Sequence, residues 1–154
     1  MVQATSNATG GTEDEFIELD APTGVGFFLK RVRVSCNTPN SDVDITPRIT
    51  QDSSRGTGGV TATIVKKRPT APAPQTLALI KTGTTVFSLG TVTNTVDQTN
   101  LNGRAVYEWI PRGNEEYVDS GPGATPTVAT GTIAIIVKVS SASTVLNLTA
   151  EWEE

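Results

Sequence analysis

The chain has 154 residues, a formal net charge of −4 and one cysteine, Cys36, and 36% of its residues are hydrophobic. This length suits one domain with a buried core, and the lone cysteine rules out an internal disulfide. The acidic balance argues against nucleic-acid binding, which needs clustered positive charge. The sequence contains no run of about 18 apolar residues, so we predict no membrane span. It also contains no His, which excludes Ser-His-Asp and Cys-His nucleophile systems and most zinc sites.

The N-terminal segment predicts an extended, mobile arm. Residues 1–12 are polar and rich in Gly, Ser and Thr, with no apolar core like that of a signal peptide. The acidic residues Glu13–Glu15 follow and lead into a first strand over Phe16–Asp20. We therefore expect an arm at 1–15 and a single β domain at 16–154.

Abundant Thr and Val favour strands in the rest of the chain, because both residue types fit a pleated surface and are poor in helices. Alternation of apolar and polar residues predicts strands at Phe27–Cys36, Val43–Thr50, Val60–Lys67, Thr76–Lys81, Thr84–Thr93, Arg104–Ile110, Thr130–Ser140 and Thr144–Glu154. Pro47 suggests an edge strand or a bulge, and Thr82-Gly83 suggests a tight hairpin.

The pattern as a whole predicts an all-β fold. We expect about eight to ten strands and no amphipathic helix, arranged as a jelly-roll-like sandwich or barrel. Three long polar loops favour Greek-key or jelly-roll crossings over a simple meander: Gln51–Gly59, Asn94–Gly103 and Asp119–Thr127.

Paired carboxylates are the first candidates for chemistry. Asp42 and Asp44 would share one face of a strand, as calcium ligands do, but no Asp/Gly-rich loop with a later Glu completes a cage. Glu108 with Glu115–Glu116 could imitate the carboxylate pair of a glycosidase, yet only 5% of residues are aromatic, which is few for gripping sugars. We therefore predict solvated charges, no metal, no cofactor and no enzymatic activity.

Aromatic residues near the C-terminal half offer a second kind of site. Tyr107, Trp109 and Trp152 could form a sugar-stacking platform or could pack into the core. Trp152 shares its stripe with Leu146 and Leu148, which favours the core for this residue.

Segregated charge is the most informative pattern. Acidic residues cluster at Glu13–Asp20 and Glu151–Glu154, and basic residues cluster around Lys30 and Lys66. An assembly protein could set an acidic segment against a basic patch of a neighbouring copy; alternatively, the two signs are solvated faces or pair within one chain. The candidate assembly contacts are Glu13, Asp14, Glu15, Phe16, Lys30, Arg31, Arg33, Lys66, Lys67 and Arg68.

In its overall pattern of arm, strands and loops, the chain resembles the capsid decoration (cement) proteins of tailed bacteriophages. The resemblance is carried by the arm Met1–Thr12, the strand–loop series from Phe27 onward and the closing pair Thr130–Ser140 and Thr144–Glu154. It implies synthesis in the host cytoplasm and attachment to the capsid surface of the virion, often as homotrimers whose arms staple neighbouring subunits. The implied partners are the major capsid protein and copies of the chain itself, with no nucleic acid and no membrane.

The alternative from a different class is a carbohydrate- or receptor-binding module of a virion fibre or lectin-like domain. Such a module would use the three long loops. A hydrolase would need Glu108 and a second carboxylate close together in a cleft.

Overall fold

The computed structural model describes residues 1–22, 26–111 and 132–154. These residues form eleven strands and no helix, so no described segment is a helix long and apolar enough to cross a membrane. The strands are β1 (Val2–Asn7), β2 (Glu13–Asp20), β3 (Phe28–Cys36), β4 (Asn40–Asp52), β5 (Val60–Thr61), β6 (Leu77–Ile80), β7 (Val92–Gln98), β8 (Leu101–Gly103), β9 (Tyr107–Trp109), β10 (Thr132–Val139) and β11 (Val145–Glu153).

Two antiparallel sheets pack face to face as a sandwich. One has four strands in the order β1-β11-β3-β9, and the other has seven, with β5-β6-β2-β10-β4-β7 in line and β8 on β4. The all-β sandwich predicted from the alternation is therefore confirmed. The sheets do not close into a barrel within the described ranges, and they contain slightly more strands than expected.

The core lies between the two sheets and is built from the two clearest apolar stripes of the sequence. Ile133, Ile135, Val137 and Val139 of β10 are buried, as are Leu146, Leu148 and Ala150 of β11. Each such aliphatic side chain contributes about 1.5–3 kcal/mol by leaving water. Strand alternation thus sends one face of each sheet inward and turns the other face away from the core.

The prediction of a mobile arm is wrong, because its residues form β1 in the four-stranded sheet. Val2 to Asn7 pair antiparallel with Val145 to Ala150, and the side chains of Val2 and Ala4 are buried. The Met1 carbonyl also accepts a hydrogen bond from the Val65 N–H at 2.9 Å. Small inward residues and polar outward ones made this strand look like a polar arm.

Pro47 does not mark an edge strand, since β4 lies between β10 and β7. The Pro47 carbonyl accepts a hydrogen bond from the Thr99 N–H at 3.2 Å. Backbone N and C=O of one strand residue point to the same side, so the missing N–H of Pro47 faces the short connection between β7 and β8. The proline therefore sits where β4 changes partner, and no ladder hydrogen bond is lost.

Two segments exchange their predicted roles. The expected loop Asn94–Gly103 instead forms most of β7 and all of β8, whereas the expected strand Thr84–Thr93 is largely irregular and only its end enters β7. The Thr82-Gly83 turn is present, with the Thr85 N–H donating to the Thr82 carbonyl at 3.2 Å, but it does not close a hairpin of two strands.

Candidate functional site

The outer surface of the four-stranded sheet forms a continuous polar face. One cross-strand row runs over all four strands and consists of Gln3, Thr149, Arg33 and Glu108. A second row contains Thr5, Asn147 and Ser35, where the Thr5 hydroxyl donates to the Asn147 side chain at 2.9 Å. We call these seven residues, together with Arg31, the polar face.

Positive charge exceeds negative charge at the β9 end of the polar face. The Arg31 Nε donates to Oε1 of Glu108 at 2.8 Å, and the Arg33 Nε lies 3.6 Å from the same oxygen. Two guanidinium groups thus share one carboxylate, and all three side chains are at least 39% exposed. Exposed pairs of this kind contribute only about 0–1 kcal/mol to folding, so these charges remain available to a partner.

The basic segment around Lys66 and the acidic C-terminus meet across a groove of about 630 Å³. Lys67 is ion-paired with Glu151, and the Lys30 Nζ lies 3.4 Å from the Glu153 carboxylate. The Lys66 ammonium donates to the Ala71 carbonyl at 2.8 Å. Of the two interpretations of the charge clusters, these contacts favour pairing within one chain.

The C-terminal residue closes the far side of this groove. The Glu154 carboxylate accepts hydrogen bonds from the backbone N–H groups of Gln75 at 2.7 Å and Thr76 at 2.9 Å. Burial alone would raise the pKa of Glu154, but these hydrogen bonds outweigh it and lower the pKa. Arg68, at the groove rim, is exposed.

The acidic segment before the first predicted strand lies mostly inside the protein. Glu13 is on the surface and pairs with Arg48 at 2.7 Å, but Asp14, Glu15 and Phe16 are buried in β2. The prediction that these three residues form assembly contacts at the surface is therefore wrong. A run of acidic residues suggested solvent exposure, whereas both faces of β2 are covered.

A cluster of buried carboxylates lies on the face of the seven-stranded sheet that points away from the core. Glu15, Glu18 and Asp52 are at most 2% exposed, and they lie beneath residues 53–59 and 84–91, which we call the cover. The Gly56 N–H donates to Oε2 of Glu18 at 2.7 Å, and Phe87 of the cover is fully buried. The predicted loop Gln51–Gly59 thus packs against the sheet and does not stand free as a binding loop.

Burial is the main cause of the raised pKa values of the carboxyl groups in this cluster. It raises the pKa of Glu15 to about 10, with further contributions from the neighbouring charges of Glu18 and Asp52. Burial likewise raises the pKa of Glu18 and of Asp52. Sequence reasoning missed this cluster, and its signal was the unusual alternation of acidic and large apolar residues within Glu13–Asp20.

The other candidates for chemistry do not assemble into a site in the described ranges. Asp42 and Asp44 are exposed on β4, and no group of three or more Asp, Glu or Cys side chains there is arranged to hold a metal ion. Glu108 faces the two arginines of β3. Glu115–Glu116 and the loop Asp119–Thr127 lie outside the described residues.

The aromatic residues pack against the core. The Tyr107 side chain is buried, and its hydroxyl donates to Asp97 at 2.5 Å. Trp109 and Trp152 are partly buried against the same apolar cluster. Trp152 therefore packs against the core, as predicted, but stays partly exposed at its edge, and the buried Tyr107 ring cannot belong to an exposed stacking platform.

Comparison of the chain with protein-family models, with curated proteins and with solved structures finds no match.

Proposed function

We propose that this protein is a non-enzymatic structural module that binds the outer surface of a viral capsid through its polar face. The observation that carries the proposal is the pair Arg31 and Arg33, which share the Glu108 carboxylate on a sheet surface. Such a surface suits a flat protein partner with complementary negative charge. The partner class, an assembled major capsid protein, is what the resemblance to phage decoration proteins implies, and this resemblance now rests on the strand–loop series and the closing strand pair without the arm.

The size of the face suggests how such a module would act. Four strands about 4.8 Å apart and up to nine residues long present roughly 450 Å² of surface. A standard interface buries about 800 Å² per partner, so one copy would bind weakly through this face alone. Several linked copies would bind far more strongly, and the homotrimer that the resemblance implies would act in this way.

The proposal is tested on capsids purified without this protein. We expect the protein to bind these capsids and to raise their melting temperature. The double variant R31E/R33E should weaken binding by about tenfold or more, because two attractive charges become repulsive, and E108Q should strengthen it by removing the competing carboxylate. The matched control is K138E/R104E, which reverses as many charges on exposed residues that belong neither to the polar face nor to the candidate contacts.

Two results would contradict the proposal. One is a folded protein that binds no capsid offered to it. The other is a control double variant that weakens binding as much as R31E/R33E does, since the net charge of the protein would then matter and the polar face would not.

A further inference from the structure

The buried acids of β2 are compensated in two different ways. The Lys81 ammonium lies 3.1 Å from Oδ1 of Asp14, and Arg55 is ion-paired with Asp20. Glu15 and Glu18, between them in the strand, form no ion pair among the described residues, and Asp52 of β4 lies near enough to raise the pKa of both. Three buried carboxylates therefore share one compartment in which their joint ionisation is strongly disfavoured.

Hydrogen bonding in this compartment is incomplete when all three groups are charged. Both carboxylate oxygens of the fully buried Glu15, Oε1 of Glu18 and Oδ2 of Asp52 have no well-aligned hydrogen-bond partner among the described residues. The Gly90 N–H approaches Glu15 and favours its charged form, but burial outweighs this contact. The Glu15 carboxyl group meets that of Glu18, so a proton on Glu15 turns a repulsive contact into a hydrogen bond. We propose that Glu15, Glu18 and Asp52 form a proton-binding site that holds the cover closed, and that loss of the bound protons releases it.

The neighbouring elements supply little positive charge to replace those protons. Arg48 on β4 faces Asp52 but pairs with Glu13 on the surface. Arg55 in the cover pairs with Asp20 and also favours ionised Glu18, but burial outweighs it and the pKa of Glu18 is still raised. Lys81 is turned toward Asp14 and the Phe16 ring. The partners on β10 are Thr132, Ala134 and Ile136, and residues 82–91 contain no ionisable side chain.

The cover rests directly on this site. An added Cβ at Gly56 would lie 2.5 Å from Oε2 of Glu15, and one at Gly90 would lie 2.9 Å from Oδ2 of Asp52. The Glu15 N–H donates to the Phe87 carbonyl at 3.2 Å, and the Thr57 and Ser88 backbones exchange two hydrogen bonds. Phe87, Ala134 and Ile136 are buried outside the main core cluster, and Ala134 and Ile136 are the cross-strand neighbours of Glu18 and Glu15.

The direction of the pH effect follows from the raised pKa of Glu15. In the closed form, with the cover packed on the sheet, Glu15 keeps its proton. In the open form, with the cover released, Glu15 is solvated and loses this proton once the pH exceeds the ordinary carboxyl pKa of about 4.5. Above that pH, each unit shifts the equilibrium up to about tenfold toward the open form for each proton released. Because opening a surface segment needs far less free energy than global unfolding, the cover opens before the pH reaches the value at which closed Glu15 would titrate.

Amide hydrogen exchange of the whole protein tests the proposal. Wild type, E15Q and D52N are compared from about pH 5 to about pH 9, since Gln and Asn are near-isosteric and cannot ionise. At a given pH the intrinsic exchange rates cancel in the ratio of wild type to E15Q. For peptides covering 53–59 and 84–91 this ratio should rise by up to about tenfold per pH unit, while the β10 peptide should not change in this way. The matched control D42N removes an exposed acid of β4 that lies outside the cluster and should behave like wild type.

Two results would overturn the proposal. One is a ratio for the cover peptides that stays constant across the pH range, with E15Q folded as judged by its thermal transition. The other is protection of the cover at about pH 8 that requires added Ca²⁺ in wild type and is removed by a chelator, since the carboxylates would then be neutralised by a cation and not by protons.

Discussion

The ammonium nitrogen of Lys81 lies 3.1 Å from Oδ1 of Asp14, and neither side chain is more than 3% exposed. The other oxygen of Asp14 accepts the Thr9 N–H at 2.6 Å, and the Lys81 N–H donates to the Phe16 carbonyl at 3.0 Å. This ion pair therefore ties β2 to the segment after β1 and to the end of β6.

Removing one partner of that pair should be costly. Lys81→Met leaves the Asp14 carboxylate buried without its cation, and we expect the free energy of unfolding to fall by about 3–5 kcal/mol. The double variant K81M/D14N removes both charges and should recover a substantial part of this loss. Urea denaturation of the two variants measures both values. A single variant as stable as wild type would show that the pair is not closed in solution.

Deletion of residues 1–8 tests whether β1 belongs to the domain. The deletion removes the buried side chains of Val2, Ala4 and Ala8 and leaves one edge of β11 unpaired. We expect a loss of several kcal/mol, since these buried side chains and six paired residues are lost together. Circular dichroism during heating should show a much lower melting temperature. An unchanged transition would restore the idea of an independent arm.

The substitution Gly56→Ala should destabilise the protein because there is no room for a methyl group. Its Cβ would lie 2.3 Å from the Ser88 carbonyl oxygen and close to Glu15. We expect a cost of about 1–3 kcal/mol, measured by urea denaturation. The matched comparison is Gly83→Ala, where φ is +55° but no atom lies within 4 Å, so only backbone strain of about 1–2 kcal/mol applies. Amide exchange in 53–59 should rise in the first variant and not in the second.

The polar face and the cover lie on opposite outer surfaces of the sandwich. The polar face belongs to the sheet β1-β11-β3-β9, and the cover lies over β2, β10 and β4 of the other sheet. A partner bound through Arg31 and Arg33 would leave the cover free to respond to pH. The two proposals can therefore be tested and can fail independently.

The sequence by itself determined the fold class. Alternation at Ile133–Val139 and Leu146–Ala150 indicated strands with one buried face, because side chains of successive strand residues point to opposite faces. The place of Trp152 in such a stripe correctly predicted its contact with the core, although the side chain stays partly exposed. These features depend on local periodicity, and a single sequence displays that periodicity directly.

Only the tertiary structure decided where polar residues lie. Gln3 and Thr5 looked like parts of a mobile arm until β11 supplied the pairing partner for β1. Glu15 and Glu18 looked exposed because carboxylates are usually solvated, and only the packing of residues 53–59 and 84–91 over β2 buries them. Both outcomes depend on segments distant in the sequence, since local composition does not specify which strand edge or sheet surface a remote loop will cover.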